Sequence, residues 1–236
     1  MAINQSAMNG RKFSLISLLV LSQFFSFCNQ PPDKSYSELV ADINAKKIEF
    51  SRLYERSDLE GQAKVITDAR GYLFGIISTD VFNFWYGTKW DFSGMTRVPG
   101  KGNIACGYFV TNVLTDAGFK IPRIKWAQSA SEVFISRLAK MDIARFSNKT
   151  VAEVEAWLKK TGDGIYLVGL DSHTGFIVVK SNSIKFIHSN YYQREIGVMS
   201  QQINSDNPFK DSNYRVIGKL LSDEMMRNWI TGFVYK

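Results

Sequence analysis

The sequence predicts an α+β domain with an antiparallel sheet: helical periodicity dominates up to about residue 160, and short alternating strands separated by turn residues follow it. Apolar residues at Leu39, Val40, Ile43, Ile48, Phe50 and Leu53 recur at roughly helical spacing, and a second such stretch runs from about Leu59 to Phe84. The segment from Trp85 to Gly102 is rich in glycine and aromatic residues, contains Pro99 and lacks a sustained period, so it reads as a structured loop. The next helix is signalled by Asn103 as N-cap, by Ile104, Tyr108, Phe109, Val113 and Leu114 on an apolar face, and by Gly118 at its end. Cys106 therefore falls in its first turn. Helices are expected again at Ala127–Lys140 and Thr150–Lys160, strands at Gly164–Leu170, His173–Lys180, Ile184–Asn190, Ile196–Gln202 and Arg215–Leu220, and a short helix at about Ser222–Trp229.

A chain of 236 residues with a hydrophobic fraction of 45% can bury one sizeable core. Its N-terminus carries a different message. Arg11 and Lys12 precede an apolar run from Phe13 to Phe27, about fifteen residues against the roughly twenty needed to span a bilayer, which is a signal-peptide pattern. Cys28 follows directly, where a bacterial lipoprotein signal places its lipidated residue, and Leu21–Cys28 resembles that class of signal despite the bulk of Phe27. The expected organisation is a signal peptide at 1–27, a proline-stiffened tether at 28–34 beginning with lipidated Cys28, and one domain at 35–236. Export with attachment to the membrane through Cys28 follows from it, in the periplasm or at the cell surface, with ordinary signal cleavage nearby or an uncleaved anchor as the other readings of the N-terminus. The net charge of +7 is spread along the chain and accompanies no nucleic-acid motif, so a nucleic-acid partner is not expected; a solvated basic surface is the plain reading, and attraction to an anionic envelope polymer or membrane surface is the other. Nothing bears on oligomeric state.

The chain has two cysteines, Cys28 and Cys106, which an exported protein could pair. Acylation of Cys28 precludes that and leaves Cys106 a lone thiol in an oxidising compartment. It also has two histidines, His173 and His188, both in neighbouring predicted strands. A thiol in the first turn of a helix meets unpaired N–H groups and the positive end of the dipole, which favour thiolate. An adjacent imidazole can take its proton and a third polar residue can orient that imidazole.

Strand geometry makes the histidine pairing specific. With Ser181 and Asn182 as a two-residue hairpin loop, Lys180 faces Ser183 and Gly175 faces His188, while His173 lies about 7 Å further along the same face. Both histidines then share a face with Ile177, Val179, Ile184 and Phe186, and Gly175 leaves room for the helix that presents Cys106. A lone cysteine on an apolar helix is more often a small core residue, and a strand-end histidine is more often merely hydrogen-bonded. A zinc site of one cysteine and two histidines lacks a fourth ligand and matches no familiar spacing, so no metal or other cofactor is expected.

The stretch Gly102–Val110 with Ala105, Cys106 and Gly107, then Gly162, Asp163 and Gly164, then His173, Thr174, Gly175, Phe176 and Ile177, and finally Phe186, Ile187 and His188, resembles the NlpC-type cell-wall cysteine peptidases of the papain-like superfamily. Tyr86, Gly87, Thr88, Lys89 and Trp90 resemble the aromatic segment ahead of that family's cysteine. The resemblance implies a papain-like fold with the nucleophile helix packed on an antiparallel sheet, a catalytic Cys106, His173 and His188, and hydrolysis of an amide in peptidoglycan stem peptides. The family's common Asp-Cys-Ser-Gly is Ala105, Cys106, Gly107 and Tyr108 here, a difference that bears on substrate class more than on the catalytic pair. Tyr86, Trp90 and Asp91, in the loop before the helix, are candidates for lining the substrate cleft, with a core aromatic plug as the other reading of Trp90. The competing functions are another acyl transfer on the same scaffold (a deamidase, a transglutaminase-like enzyme or a thioesterase) and a non-catalytic lipoprotein that binds a wall component.

Overall fold

The computed structural model describes Lys34–Lys236 together with Met1. The expected signal peptide, the lipidated Cys28 and all of the tether except Lys34 lie outside the described residues.

The domain opens with α1 (Tyr36–Glu55), begun by a capping box in which Ser35 accepts from the Glu38 N–H and Glu38 answers from its side chain. Next come α2 (Leu59–Ile76), a π-helical turn at Ile77–Val81 and α3 (Phe82–Trp85), so the predicted second helix is one rod with a π-bulge near its end. A long loop leads to α4 (Cys106–Asp116), whose N-cap is Ala105 and not Asn103. Asn103 is held away from a capping position by its pairing with Lys89 and by the Thr96 N–H to Asn103 carbonyl bond. The same loop is fastened from the far end of α4, where Arg97 reaches Asp116 at 2.7 Å and Asn112 at 3.1 Å.

The single helix expected over Ala127–Lys140 is two, α5 (Arg123–Ala127) and α6 (Ser131–Ala139), because Gln128 and Ser129 turn the chain back onto the carbonyls of Ile124 and Trp126. The next elements are β1 (Ile143–Ser147), α7 (Val151–Thr161), β2 (Gly164–Leu170), β3 (Thr174–Lys180), β4 (Ser183–Ser189), β5 (Val198–Gln202), α8 (Pro208–Asp211), β6 (Tyr214–Lys219) and α9 (Asp223–Thr231). The strands form a six-stranded antiparallel sheet in the order β1-β6-β2-β3-β4-β5, so the α+β class holds. Strand β1 escaped the sequence pattern because it is a half-exposed edge strand with no clean alternation. Strand β5 begins at Val198 and not at Ile196, since the Ile196 and Gly197 N–H groups both turn back to the Gln193 carbonyl.

Each face of the sheet carries its own core. On one face Ile165, Leu167, Phe176, Ile187 and Val216 pack with residues of α1, α2, α4, α6 and α9. Phe176 sits 5.9 Å from Phe109 of α4 and 5.1 Å from Phe82, centroid to centroid, which seats the helix on β3. On the other face Tyr166, Val168, Ile177, Val179, Ile184, Phe186 and Ile217 pack with Val154 and Leu158 of α7.

The hairpin of β3 and β4 has the predicted register, with Lys180 opposite Ser183 and Phe176 opposite Ile187. Ser181 and Asn182 both adopt positive φ (49° and 67°), the left-handed pair that a two-residue hairpin turn needs. The role of Gly175 differs from the expectation. Helix α4 lies on the opposite face, and a Cβ on Gly175 would sit 2.7 Å from the Ile187 oxygen, 2.7 Å from the Phe186 ring and 2.9 Å from His188 Cβ. The glycine makes room for the histidine side of the hairpin.

Gly175→Ala should therefore lower stability by about 1–3 kcal/mol through overpacking. On helix α2, Gly71→Ala adds a Cβ that meets nothing and should leave stability unchanged or raise it by about 0.5–1 kcal/mol. Urea unfolding of both variants checks the contrast, and equal midpoints would count against the packing described.

Candidate active site

Cys106 is the first residue of α4, and its N-cap, Ala105, offers no side-chain acceptor. Most helices use Ser, Thr, Asp or Asn there to occupy the first N–H groups; here those donors remain available to whatever lies at the helix start. The backbone N–H groups of Thr174, Gly107 and Cys106 itself stand near the partly buried sulfur and favour its charged form. Gly107 is obligatory for this seat, because a Cβ on it would lie 2.2 Å from the Ala127 carbonyl oxygen of α5.

Thr174 opens β3, so the sulfur rests against the residue that follows His173. His173 lies just outside the strand, its carbonyl accepting the Leu170 N–H to close the β2–β3 turn. Cys106 and His173 line one cavity of about 440 Å³, together with Ser129, Ser131, Glu132 and Asp171. The imidazole is buried at 4% exposure. Its Nε2 lies 2.9 Å from His188 Nδ1, and its Nδ1 has no hydrogen-bond partner. His188, fully buried, stacks on Phe186 at 4.1 Å and places its Nε2 2.9 Å from Gln201 Oε1.

Cys106 and His173 thus line one cavity, and His173 in turn meets His188. Gln201 is an addition that sequence reasoning missed. It pairs with Phe186 across β4 and β5, while His188 pairs with Met199, so glutamine and histidine are diagonal neighbours on one face. Alternation along β5 carries that information only once the β4–β5 register is known, and the eight-residue connection from Asn190 to Gly197 conceals it.

Tyr86, Trp90 and Asp91 stand elsewhere than expected, for none lines the cavity that holds Cys106 and His173. Trp90 packs on Tyr191 at 5.9 Å with the Arg194 guanidinium over its ring, and Tyr191 in turn stands 5.2 Å from the His173 ring. It is part of a wall behind the imidazole. Asp91 accepts the Ser93 N–H and shapes the loop. Tyr86 packs half-buried against the core beside α4. The cleft walls come from the turn after α5, the start of α6 and the β2–β3 turn. Its mouth carries two carboxylates held below their usual range, Glu132 by hydrogen bonds from Arg145 and Tyr214, Asp171 by the Asn213 and Tyr214 backbone N–H groups.

Burial changes the expected charge state of the pair. It pushes the Cys106 thiol up from its ordinary value, and the three N–H groups around the sulfur offset this only in part. Burial and the neighbouring His188 push His173 well below the ordinary imidazole range, and burial lowers His188 to about 4. At neutral pH the site rests as thiol and two neutral imidazoles, and not as the thiolate that a helix start alone favours. Among the described residues no group of three or more His, Cys, Asp or Glu is arranged to hold a metal ion. The facing histidine nitrogens are engaged with each other.

A larger cavity of about 600 Å³, lined by Arg70, Phe74, Asp163 and Lys219 among others, contains neither a histidine nor a cysteine. Cys106 and His173 line the smaller one. Comparison with protein-family models, curated proteins and solved structures finds no match to this chain.

The neutral histidines make stability pH-dependent with a definite sign. Their folded values lie below the unfolded value near 6.5, so the unfolded chain binds more protons and stability falls as pH drops below about 6.5. For His188 the loss continues to about 4 and amounts to roughly 3 kcal/mol. Urea unfolding between pH 7.5 and 4 should record it, and a flat midpoint over that window would contradict the buried neutral pair.

Proposed function

We propose that this chain is an exported, lipid-anchored cysteine hydrolase of papain-like fold that cleaves amide bonds, with peptidoglycan stem peptides as the substrate class. One observation carries the reading: an unpartnered, buried His173 Nδ1 shares a cleft with a sulfur seated at an uncapped helix start. A structural cysteine needs neither the open cleft nor the neighbouring base.

In the proposed reaction His173 Nδ1 takes the thiol proton as Cys106 Sγ bonds to the substrate carbonyl carbon. The developing oxyanion lies at the start of α4, where the Cys106 N–H lacks a helical carbonyl partner. Collapse of the tetrahedral intermediate breaks the C–N bond, and the same proton leaves His173 for the departing amine. Water then attacks the thioester, giving its proton to His173, and releases the acid with regeneration of the thiol. His188 orients His173 throughout. Asp171 and Glu132 at the cleft mouth suit substrate segments that carry an amine. The substrate class and the export route rest on the sequence resemblance and on the signal-like N-terminus.

Cys106→Ala and His173→Ala should each cut release of new amines from peptidoglycan fragments by about 10³-fold or more, read by mass spectrometry. Loss of a glutamine amide without chain cleavage would redirect the reading to a deamidase. Cleavage that survives Cys106→Ala would end it. The pH profile provides a second check. A base lowered from 6.5 and a thiol raised from 9.0 should leave kcat/KM level between those values, with the acid limb below 6.5 and the basic limb above 9.0. A limb centred inside that interval would show that the pair is not the one that titrates.

A further inference from the structure

The hydrogen bonds behind His173 have a direction, and it can be traced from one backbone amide. Asn190 is fully buried, and its Oδ1 accepts the Tyr192 backbone N–H at 2.9 Å. Its Nδ2 therefore points the other way, 3.1 Å from Met199 Sδ and 3.5 Å from Gln201 Oε1. Turning the Gln201 amide over would set one NH₂ against another at that contact. Gln201 thus presents its oxygen, and this oxygen is also the atom 2.9 Å from His188 Nε2.

An amide oxygen only accepts, so His188 Nε2 carries hydrogen. A neutral imidazole has one N–H, which leaves His188 Nδ1 as an acceptor. The His173 Nε2 that lies 2.9 Å away must then be the donor. His173 consequently keeps a bare lone pair on Nδ1, the buried atom that has no partner. Burial keeps both rings neutral at pH 7, the condition under which one hydrogen per ring holds.

We propose that Gln201 is a positioning residue which, held by Asn190 and acting through His188, locks His173 in the Nε2–H tautomer that can accept the Cys106 proton. The inference rests on the hydrolase reading for its purpose and on the hydrogen bonds alone for its content. If the chain of donors ran the other way, each ring hydrogen would move to the opposite nitrogen. His173 would then carry its hydrogen on Nδ1, and the base would be occupied before the reaction began. In the forward direction the S–H bond breaks, Nδ1 gains the proton, and Nε2–H continues to donate to His188 while the ring is positively charged. No proton needs to pass beyond His173.

With only two histidines in the chain, selective ¹⁵N-histidine labelling yields two rings, and two-bond ¹H–¹⁵N correlation reports which nitrogen of each bears hydrogen. At pH 7 the full-length protein should show Nε2–H for both. Gln201→Leu, which removes the acceptor, should give a Nδ1–H population at His173 and reduce kcat on peptidoglycan fragments by roughly 10²-fold with little change in KM. Gln201→Glu preserves an acceptor, so both rings should remain Nε2–H and kcat should stay within about an order of magnitude of the unaltered protein.

A Nδ1–H ring at His173 in the unaltered protein would overturn the proposal, as would unchanged ring hydrogens in Gln201→Leu whatever its kcat. If Gln201→Leu does not fold, the spectra of the unaltered protein and of Gln201→Glu decide. Ring hydrogens as assigned, combined with turnover that survives Cys106→Ala, would remove the hydrolase reading and leave the relay standing. Turnover lost in Cys106→Ala but ring hydrogens unmoved in Gln201→Leu would do the reverse.

Discussion

The register of the β3–β4 hairpin is the constraint on which the candidate site depends. Side chains alternate faces with a period of two, so a slip of one residue would carry His188 to the α4 face and replace it with Ile187 or Ser189. The register is held at both ends. At the turn, Ser181 and Asn182 take the left-handed conformation, and the Ser181 N–H bonds to the carboxylate of Asp163 at the entrance to β2. At the open end, the absence of a side chain on Gly175 lets the Ile187 carbonyl and His188 Cβ approach within distances that any Cβ would violate. The Gly-Asp pair that begins the first core strand thus has a mechanical role, fixing a turn far from the sulfur.

The second constraint is a contest between two electrostatic effects. A helix start stabilises a nearby negative charge by about 0.3–1 kcal/mol when exposed and up to about 2 when partly buried. Removing a charged group from water costs several kcal/mol unless it is fully paired. At Cys106 three N–H groups oppose burial, and burial is the larger effect. In the proposed reaction the helix start then matters less for the resting sulfur than for the charge that would develop on a bound carbonyl. If the proposed export holds, a neutral pair has a further consequence, since the thiol form reacts with disulfides and oxidants far more slowly than thiolate.

Much of this was legible in the sequence because it is local. Alternating apolar residues on either side of Ser181 and Asn182 specify a hairpin, the hairpin specifies which residues face each other, and two histidines on one face follow. Helix periodicity after Ile104 places Cys106 at a start even though the capping residue was misassigned. What stayed hidden depends on contacts between distant segments. Strand β1 forms only because β6 offers it an edge. Gln201 meets His188 through a register set across an irregular connection, and part of the cleft wall comes from the turn after α5 and the start of α6, which carry no recognisable motif. Trp90 and Asp91 lie close to Cys106 in sequence but are turned from the cleft by the bridges Lys89–Asn103 and Met95–Ile104, which fold the loop back on itself. Nearness along the chain was a poor guide to nearness in space there.

The amide at the end of the histidine chain bears on how the proposed base works. A carboxylate in the place of Gln201 would draw positive charge onto His188 and, through it, toward His173, raising the affinity of the pair for protons. The resting site would gain some imidazolium character and lose part of its readiness to take the thiol proton, a loss within the order of magnitude in kcat expected of Gln201→Glu. An amide oxygen orients the rings through the same hydrogen bond without adding charge, and Asn190, itself neutral, holds that oxygen in place. The carboxylates that do approach the site, Glu132 and Asp171, stand at the cleft mouth and spend their hydrogen-bonding capacity on Arg145, Tyr214 and backbone N–H groups. In the proposed reaction charge stands where a substrate would arrive and is kept from where a proton would be accepted, a division that a buried neutral relay makes possible and that a closer acid would weaken.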